Sequence, residues 1–243
     1  MVNDPEPRWL LCDFHIHTDK SDGKMGLDEI IDLYGNNNFD VISITDHVYD
    51  RHTVKLWEDN GERPCTIKKE QFEEYMHDIW TAAKKAWKEY RMLVIPGVEI
   101  TNNHDLFHLL ALDIKEYIDP NDSVLNIIDE IHAQSGIAVA CHPHRKDSEE
   151  EMPFMHLWDN HEKYAAAFDA WEVANRDDLF NVVGLKKFNY LAGSDFHEER
   201  HVYSWKSLIR SEKNTEAVKE AISLNENVSL YLLRNRKASE TIS

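Results

Sequence analysis

Seven short apolar runs punctuate this chain, at 10–14, 41–45, 92–100, 106–114, 137–141, 168–174 and 190–192. Each carries, or is closely followed by, a histidine, aspartate or glutamate. Near-continuous apolar runs of this length are the pattern of parallel strands buried on both faces. Helical spacing fills the intervals, at 27–34, 66–90, 122–134, 178–188 and 215–224. The longest places Phe72, Met76, Ile79, Ala83, Trp87 and Tyr90 on one side, and 122–134 stops at Gly136, a helix-ending residue. Strand–helix alternation predicts an α/β barrel or a doubly wound sheet. The segments 50–65 and 142–158 read as long loops after strands, where barrels build their active sites. The polar tail 234–243 reads as frayed.

At 243 residues the chain suits a single domain, 1–243, and is long enough to bury a substantial core. No apolar run approaches the roughly 20 residues a membrane span needs. The start, MVNDPEPRWLLC, lacks a basic segment followed by an apolar one, so no signal peptide is expected. Cys12, Cys65 and Cys141 are odd in number and widely spaced, which suits free thiols in a reducing cytoplasm. With 27 basic against 45 acidic residues the formal net charge is −18. Such a surface repels nucleic-acid backbone and anionic membrane, so neither is a favoured partner.

The chemistry sits where the runs end. His15 and His17 are two apart and project the same way from a strand end, with Asp13 and Thr18 as flanking partners for an imidazole. Asp22 lies on the turn SDG, where a plain turn aspartate is the alternative. His47 ends VISITDH, with Asp46 placed to orient it. Glu99 lies inside IPGVEIT, where a buried charge must be ion-paired or bound to metal. His108 in LFHLLAL reads as a ligand or a core histidine, with His104 as its rival. HPHR offers His142 as ligand beside His144 and Arg145. Arginine's planar fork suits a phosphate, though a plain surface arginine reads equally well. GSDFH repeats the alternate spacing with Asp195 and His197, and Gly193 permits close backbone approach.

Taken in order, DFHIHT, SDG, TDH, GVEIT, the histidine before LL, HPH and GSDFH resemble the polymerase-and-histidinol-phosphatase (PHP) family of metal-dependent phosphoesterases. The likeness spans 13–197. It implies a distorted seven-stranded (β/α) barrel, TIM-barrel-like, around two or three divalent ions of manganese, zinc or iron. By position, His15, His17, Glu99 and Asp195 would hold one metal, and Glu99, His108 and His142 a second. Asp22, His47 and His197 would hold a third. Two departures stand out: Asp22 replaces a histidine frequent in trinuclear members, and HEERHVYSWKS lacks the glycine common after GSDFH.

The expected activity is hydrolysis of a small phosphomonoester, such as histidinol phosphate, a nucleotide or a sugar phosphate, by hydroxide generated at the metals. Arg145, with His144 or His201, would grip the phosphate. The alternative is a metallohydrolase of a carbamate, ester or amide using the same centre. Phosphate-gripping cations separate the two, and the chain offers Arg145, Lys146, Arg200 and Lys206 near the relevant loops.

Overall fold

A computed structural model describes residues 6–143, 156–176, 178–180 and 188–235. It is a mixed α/β fold whose single sheet curls into a half-barrel. The strands are β1 (Arg8–Asp13), β2 (Val41–Ile44), β3 (His47–Tyr49), β4 (Leu93–Asn102), β5 (Phe107–Leu112), β6 (Ile137–Ala140), β7 (Ala170–Asn175), β8 (Asp178–Leu179), β9 (Tyr190–Gly193), β10 (Trp205–Ser211) and β11 (Val228–Leu232). Their order is β11-β10-β1-β2-β4-β5-β6-β7-β8, with β3 paired to β4 and β9 to β7. All seven sequence-predicted runs form strands, but the sheet has eleven strands and nine along its main path rather than seven.

Nor is it all parallel. β5 runs antiparallel to both β4 and β6. Only residues 103–106 join β4 to β5, and a parallel return needs a crossover of a dozen residues or more. β10 and β11 add an antiparallel edge beside β1. Their sequences, WKSLIRS and VSLYL, mix polar with apolar residues, which hid them from a search for continuous apolar runs.

The helices are α1 (Leu27–Asn36), α2 (Arg51–Asp59), α3 (Phe72–Tyr90), α4 (Val124–Ala133), the short α5 (His156–Asp159) and α6 (His161–Tyr164), and α7 (Thr215–Leu224). α2 occupies much of the segment expected to be loop. Asp50 starts it by accepting hydrogen bonds from Thr53 N (2.9 Å) and Thr53 Oγ1 (2.6 Å), a cap that overrides the scarcity of apolar residues. The helix expected over 178–188 begins instead as strand β8, and its middle lies outside the described residues. The same holds for most of 142–158 and of the tail. No helix among the described residues is long and apolar enough to cross a membrane.

Strand alternation divides the core into two layers. On β4, Val94, Val98 and Ile100 pack in the cluster that contains the apolar residues of α1, α3 and α4. Ile95 packs in the other, with Leu10, Val41, Leu110, Leu112, Ile137, Val139, Ala170 and Leu191, and with Val218 and Ile222 of α7. That second layer fills the concave side of the curl. β10 approaches β9 without a ladder: Ser207 Oγ accepts from Ala192 N and donates to Ala192 O, both at 2.9 Å. Above them His17 N donates to Phe196 O (2.9 Å) and Phe196 N to His15 O (3.0 Å). The segments HIH and DFH therefore lie side by side although 182 positions separate His15 from His197.

Candidate metal centre

Glu99, His108, Glu172 and Gly193 point to the same side of their strands as the apolar residues Ile95, Leu110, Ala170 and Leu191, and Cys141 directly follows β6. The strands thus stack a polar layer on an apolar one. His108 reaches that layer from the amino end of β5, because this strand is antiparallel; the other strands deliver their residues from their carboxyl ends. His15, His17, Asp22, His142, Asp195 and His197 come from the loops immediately above, and His47 from the start of β3, beside Glu99.

Glu99 is the hub. Its Oε2 lies 3.0 Å from His15 Nε2, 3.1 Å from His17 Nε2 and 3.3 Å from His47 Nδ1. Its Oε1 lies 2.8 Å from His108 Nδ1 and 3.3 Å from His142 Nε2. Asp195 Oδ1 sits 3.6, 3.5 and 3.4 Å from His15 Nε2, His17 Nε2 and His197 Nδ1. Asp22 Oδ2 sits 3.1 Å from His197 Nε2, and its Oδ1 3.5 Å from His47 Nε2. All nine side chains singled out in the sequence are therefore connected at one mouth.

Three groups bring four donor atoms each within 4.8 Å of one another: His15, His17, Glu99 and Asp195; His17, Asp22, His47 and His197; and His15, Glu99, Cys141 and His142. The first coincides with a set implied by the family resemblance. The second adds His17 to one. The third contains Cys141, read from the sequence as a free thiol, and leaves His108 beside Glu99 but bonded through its Nε2 to Asn103 Oδ1 (3.1 Å).

This donor set suits divalent cations. Among the described residues His17 Nδ1 and Nε2 and His142 Nδ1 are buried with no hydrogen-bond partner, a costly state for imidazoles unless something else occupies their lone pairs. His17 Nε2 is within ion-pair reach of two carboxylates yet aligned for a hydrogen bond with neither. His142 and Asp195 adopt positive φ, 26° and 47°, a backbone strain that clusters at functional sites.

Among the side chains themselves, imidazoles and carboxylates balance one another's charge. Burial would depress the His15 pKa, but the carboxylates of Glu172, Glu99 and Asp195 outweigh it and hold the pKa well above the usual value. His17 rises to about 9 against its own burial, raised by Asp195 and Glu99. Glu99 and Asp195 are driven well below the carboxylate range by surrounding imidazoles, although burial opposes this. Burial wins at His108, pushed down to about 4, and lowers His47 as well.

Supporting partners fix the ring orientations. Glu172, not singled out in the sequence, lies 3.2 Å from His15 Nδ1 and accepts from His142 N (2.7 Å) and Asn175 Nδ2 (2.9 Å). A Cβ at Gly193 would collide with its Oε1, so the glycine is what lets β9 approach. Thr101 Oγ1, not Asp46, orients His47, at 2.7 Å from its Nδ1. Asp46 instead ties down the 18–21 turn, accepting from Thr18 N (2.8 Å), Thr18 Oγ1 (2.9 Å) and Ser21 Oγ (2.6 Å). Asp13 touches no imidazole either; it holds Tyr34 OH (2.9 Å), Ser194 N (3.0 Å) and the buried Lys206 Nζ (3.3 Å). Arg176, also missed, places Nη2 3.0 Å from Asp195 Oδ2 and 3.2 Å from His197 Nδ1. The only signal for these partners was an isolated polar residue at the end of an apolar run.

Of the proposed phosphate-gripping residues, His144 and Arg145 lie outside the described residues, as does Lys146. His201 accepts from His197 N (3.1 Å), and burial together with Arg176 and His197 pushes it down to about 4. It is a neutral ring at pH 7. His104 is exposed and packs on His52 rather than at the centre, with ring centroids 4.8 Å apart.

Neither a protein-family model nor a curated protein matches the sequence. Solved structures do. A two-domain protein from Bacteroides vulgatus containing a predicted PHP-like metal-dependent phosphoesterase aligns over 93% of this chain at a TM-score of 0.67 and 18% identity. The fold is that of PHP-like phosphoesterases. This chain spans only 66% of that protein's length. An amidohydrolase from Chromobacterium violaceum, with bound sulfate and no metal, aligns over 76% of this chain and 87% of its own at a TM-score of 0.51 and 15% identity. A putative metal-dependent phosphoesterase from Bifidobacterium adolescentis covers 77% of this chain and 88% of its own at 14% identity, but its TM-score of 0.48 carries no weight.

Proposed function

We propose that this chain is a metal-dependent phosphoesterase acting on a small phosphomonoester. The observation that carries this reading is Glu99, a fully buried carboxylate within 3.3 Å of five imidazoles, beside imidazole nitrogens that have no hydrogen-bond partner among the described residues. Cations would be held by His15, His17, Glu99 and Asp195, by Glu99, His108 and His142, and by Asp22, His47 and His197. Divalent ions there supply Lewis acidity, lowering the pKa of water and offsetting charge that builds on the scissile group.

The chain's own residues prepare that chemistry. Glu172 faces His15 Nδ1 and so turns Nε2 toward Glu99. Thr101 does the same for His47, turning its Nε2 toward Asp22. Arg176 takes up the outer oxygen of Asp195, leaving Oδ1 to face His15 and His17. Arg145, three residues after His142, is the proposed clamp for the phosphate, with His144 beside it.

The test is a phosphatase screen of metal-stripped protein reconstituted separately with manganese, zinc and iron. At least two metal equivalents per chain are expected, with turnover of phosphomonoesters; one equivalent or fewer would overturn the multinuclear reading. Arg145→Ala should slow turnover by roughly tenfold to a hundredfold with metal content unchanged, the loss of a charge-assisted contact.

One observation favours a carbon-centred hydrolase instead. Among the described residues the cations near the mouth are engaged: Lys206 with Asp13, Arg200 with Glu198, and Arg176 with Asp195. Cleavage of a carbamate, ester or amide by a reconstituted enzyme inert to every phosphoester, with Arg145→Ala fully active, would select that reading.

A further inference from the structure

Cys141 directly follows β6, packs in the same apolar layer as Ile137 and Val139, and is 1% exposed. Its Sγ lies 3.4 Å from Glu99 Oε1. It belongs to a group whose four donor atoms, from His15, Glu99, Cys141 and His142, all fall within 4.8 Å. A second observation points the same way: His142, also buried, has an Nδ1 with no partner, and its backbone is held at φ 26°. The other thiols differ. Cys12 donates down its own strand to Leu10 O (3.4 Å), and Cys65 sits half-buried before α3. Neither belongs to any of the donor groups.

We infer that Cys141 Sγ is a ligand of the metal centre, giving the cation position of Glu99, His108 and His142 a sulfur donor. This rests on the metal-centre reading above. The thiol loses its proton to solvent as the metal–sulfur bond forms, because only the thiolate ligates. The thiolate then adds a full negative charge to neutral imidazoles and the shared Glu99 carboxylate, which favours a divalent ion there. Such a mixed nitrogen, oxygen and sulfur set suits zinc, cobalt or ferrous iron and disfavours manganese, which prefers oxygen donors. A cysteine present only to fill space beneath Glu99 would impose no such selectivity.

The test uses the full chain, reduced and metal-stripped, titrated with Co²⁺ and followed by absorption. Visible d–d bands should appear together with a near-ultraviolet sulfur-to-cobalt charge-transfer band. Cys141→Ser and Cys141→Ala should lose the charge-transfer band and keep d–d bands. The double variant Cys12→Ser/Cys65→Ser should keep both. X-ray absorption of the zinc-loaded double variant should show a sulfur neighbour at about 2.3 Å, a measurement that stands even if the Cys141 variants fail to fold. Competition should also show that Cys141→Ser binds zinc less tightly relative to manganese than the parent does. The d–d bands without a charge-transfer band in the parent, or a band surviving in Cys141→Ser, would overturn the sulfur ligand and leave the metal centre standing. Absence of all bands would overturn both.

Discussion

Glu99 and Asp22 are both carboxylates ringed by imidazoles, yet they stand in different worlds. Glu99 is fully buried on a strand, whereas the Asp22 side chain is 34% exposed on a turn. Around Glu99 water cannot replace a lost partner, so every charge must be met by another side chain or by a bound cation. Around Asp22 solvent can substitute. The inner half of the site is therefore braced from behind, by Glu172 on His15 and Thr101 on His47. In the outer half, Asp22 meets His197 at 3.1 Å and stands partly in solvent, although Arg176 backs the His197 ring at 3.2 Å. The contrast teaches that the centre has an obligatory inner core and a more forgiving rim.

The largest effect should come from the hub. Glu99→Gln keeps the shape but removes the charge five imidazoles share, and should lower kcat/KM by at least roughly 10³-fold, ~4 kcal/mol, with loss of bound metal. Steady-state kinetics with elemental analysis would decide it; a metal-replete, active variant would dissolve the distinction between core and rim. Glu172→Gln is milder, since it only releases the back of His15. Metal affinity should fall by about 10- to 100-fold, read by competition with a chelating dye, and an unchanged affinity would mean His15 needs no brace. At the rim, Asp22→Asn should cost about tenfold in turnover, ~1.4 kcal/mol, and at most one metal equivalent. A loss as large as that of Glu99→Gln would make the two halves equal.

The subtlest test is pH. His15 and His17 have raised pKa values in the cation-free protein, His17 at about 9. A raised folded pKa stabilises fully below the unfolded value near 6.5 and is lost as pH climbs through the folded one. Thermal unfolding of the metal-stripped protein should therefore move to lower temperature between about pH 7 and 10. Cations displace the same protons, so binding at neutral pH should release protons, detected by calorimetry in buffers of different ionisation heat. A pH-independent melting point and no released proton would mean the inner imidazoles are already neutral.

Much of this protein was legible in the order of its residues. Strands buried on both faces advertise themselves by composition, so β1, β2, β4, β5, β6, β7 and β9 were all found. The nine donor residues stood out because a titratable side chain at the end of an apolar run must be used or paid for. What composition could not convey was direction and partnership. The four residues between β4 and β5 force a hairpin, which turns His108 to the mouth from the opposite end of its strand. β10 and β11 look like ordinary amphipathic surface until the pairing of β10 with β1 and of β11 with β10 is seen. Local sequence determined which segments were strands and which residues had to be reckoned with, since burial and periodicity are properties of short stretches. Only the tertiary structure decided that Glu172 braces His15, that Thr101 rather than Asp46 orients His47, and that Cys141 faces Glu99. Those contacts join residues 157, 54 and 42 positions apart, and they exist because the curled sheet sets the inward faces of distant strands at one height.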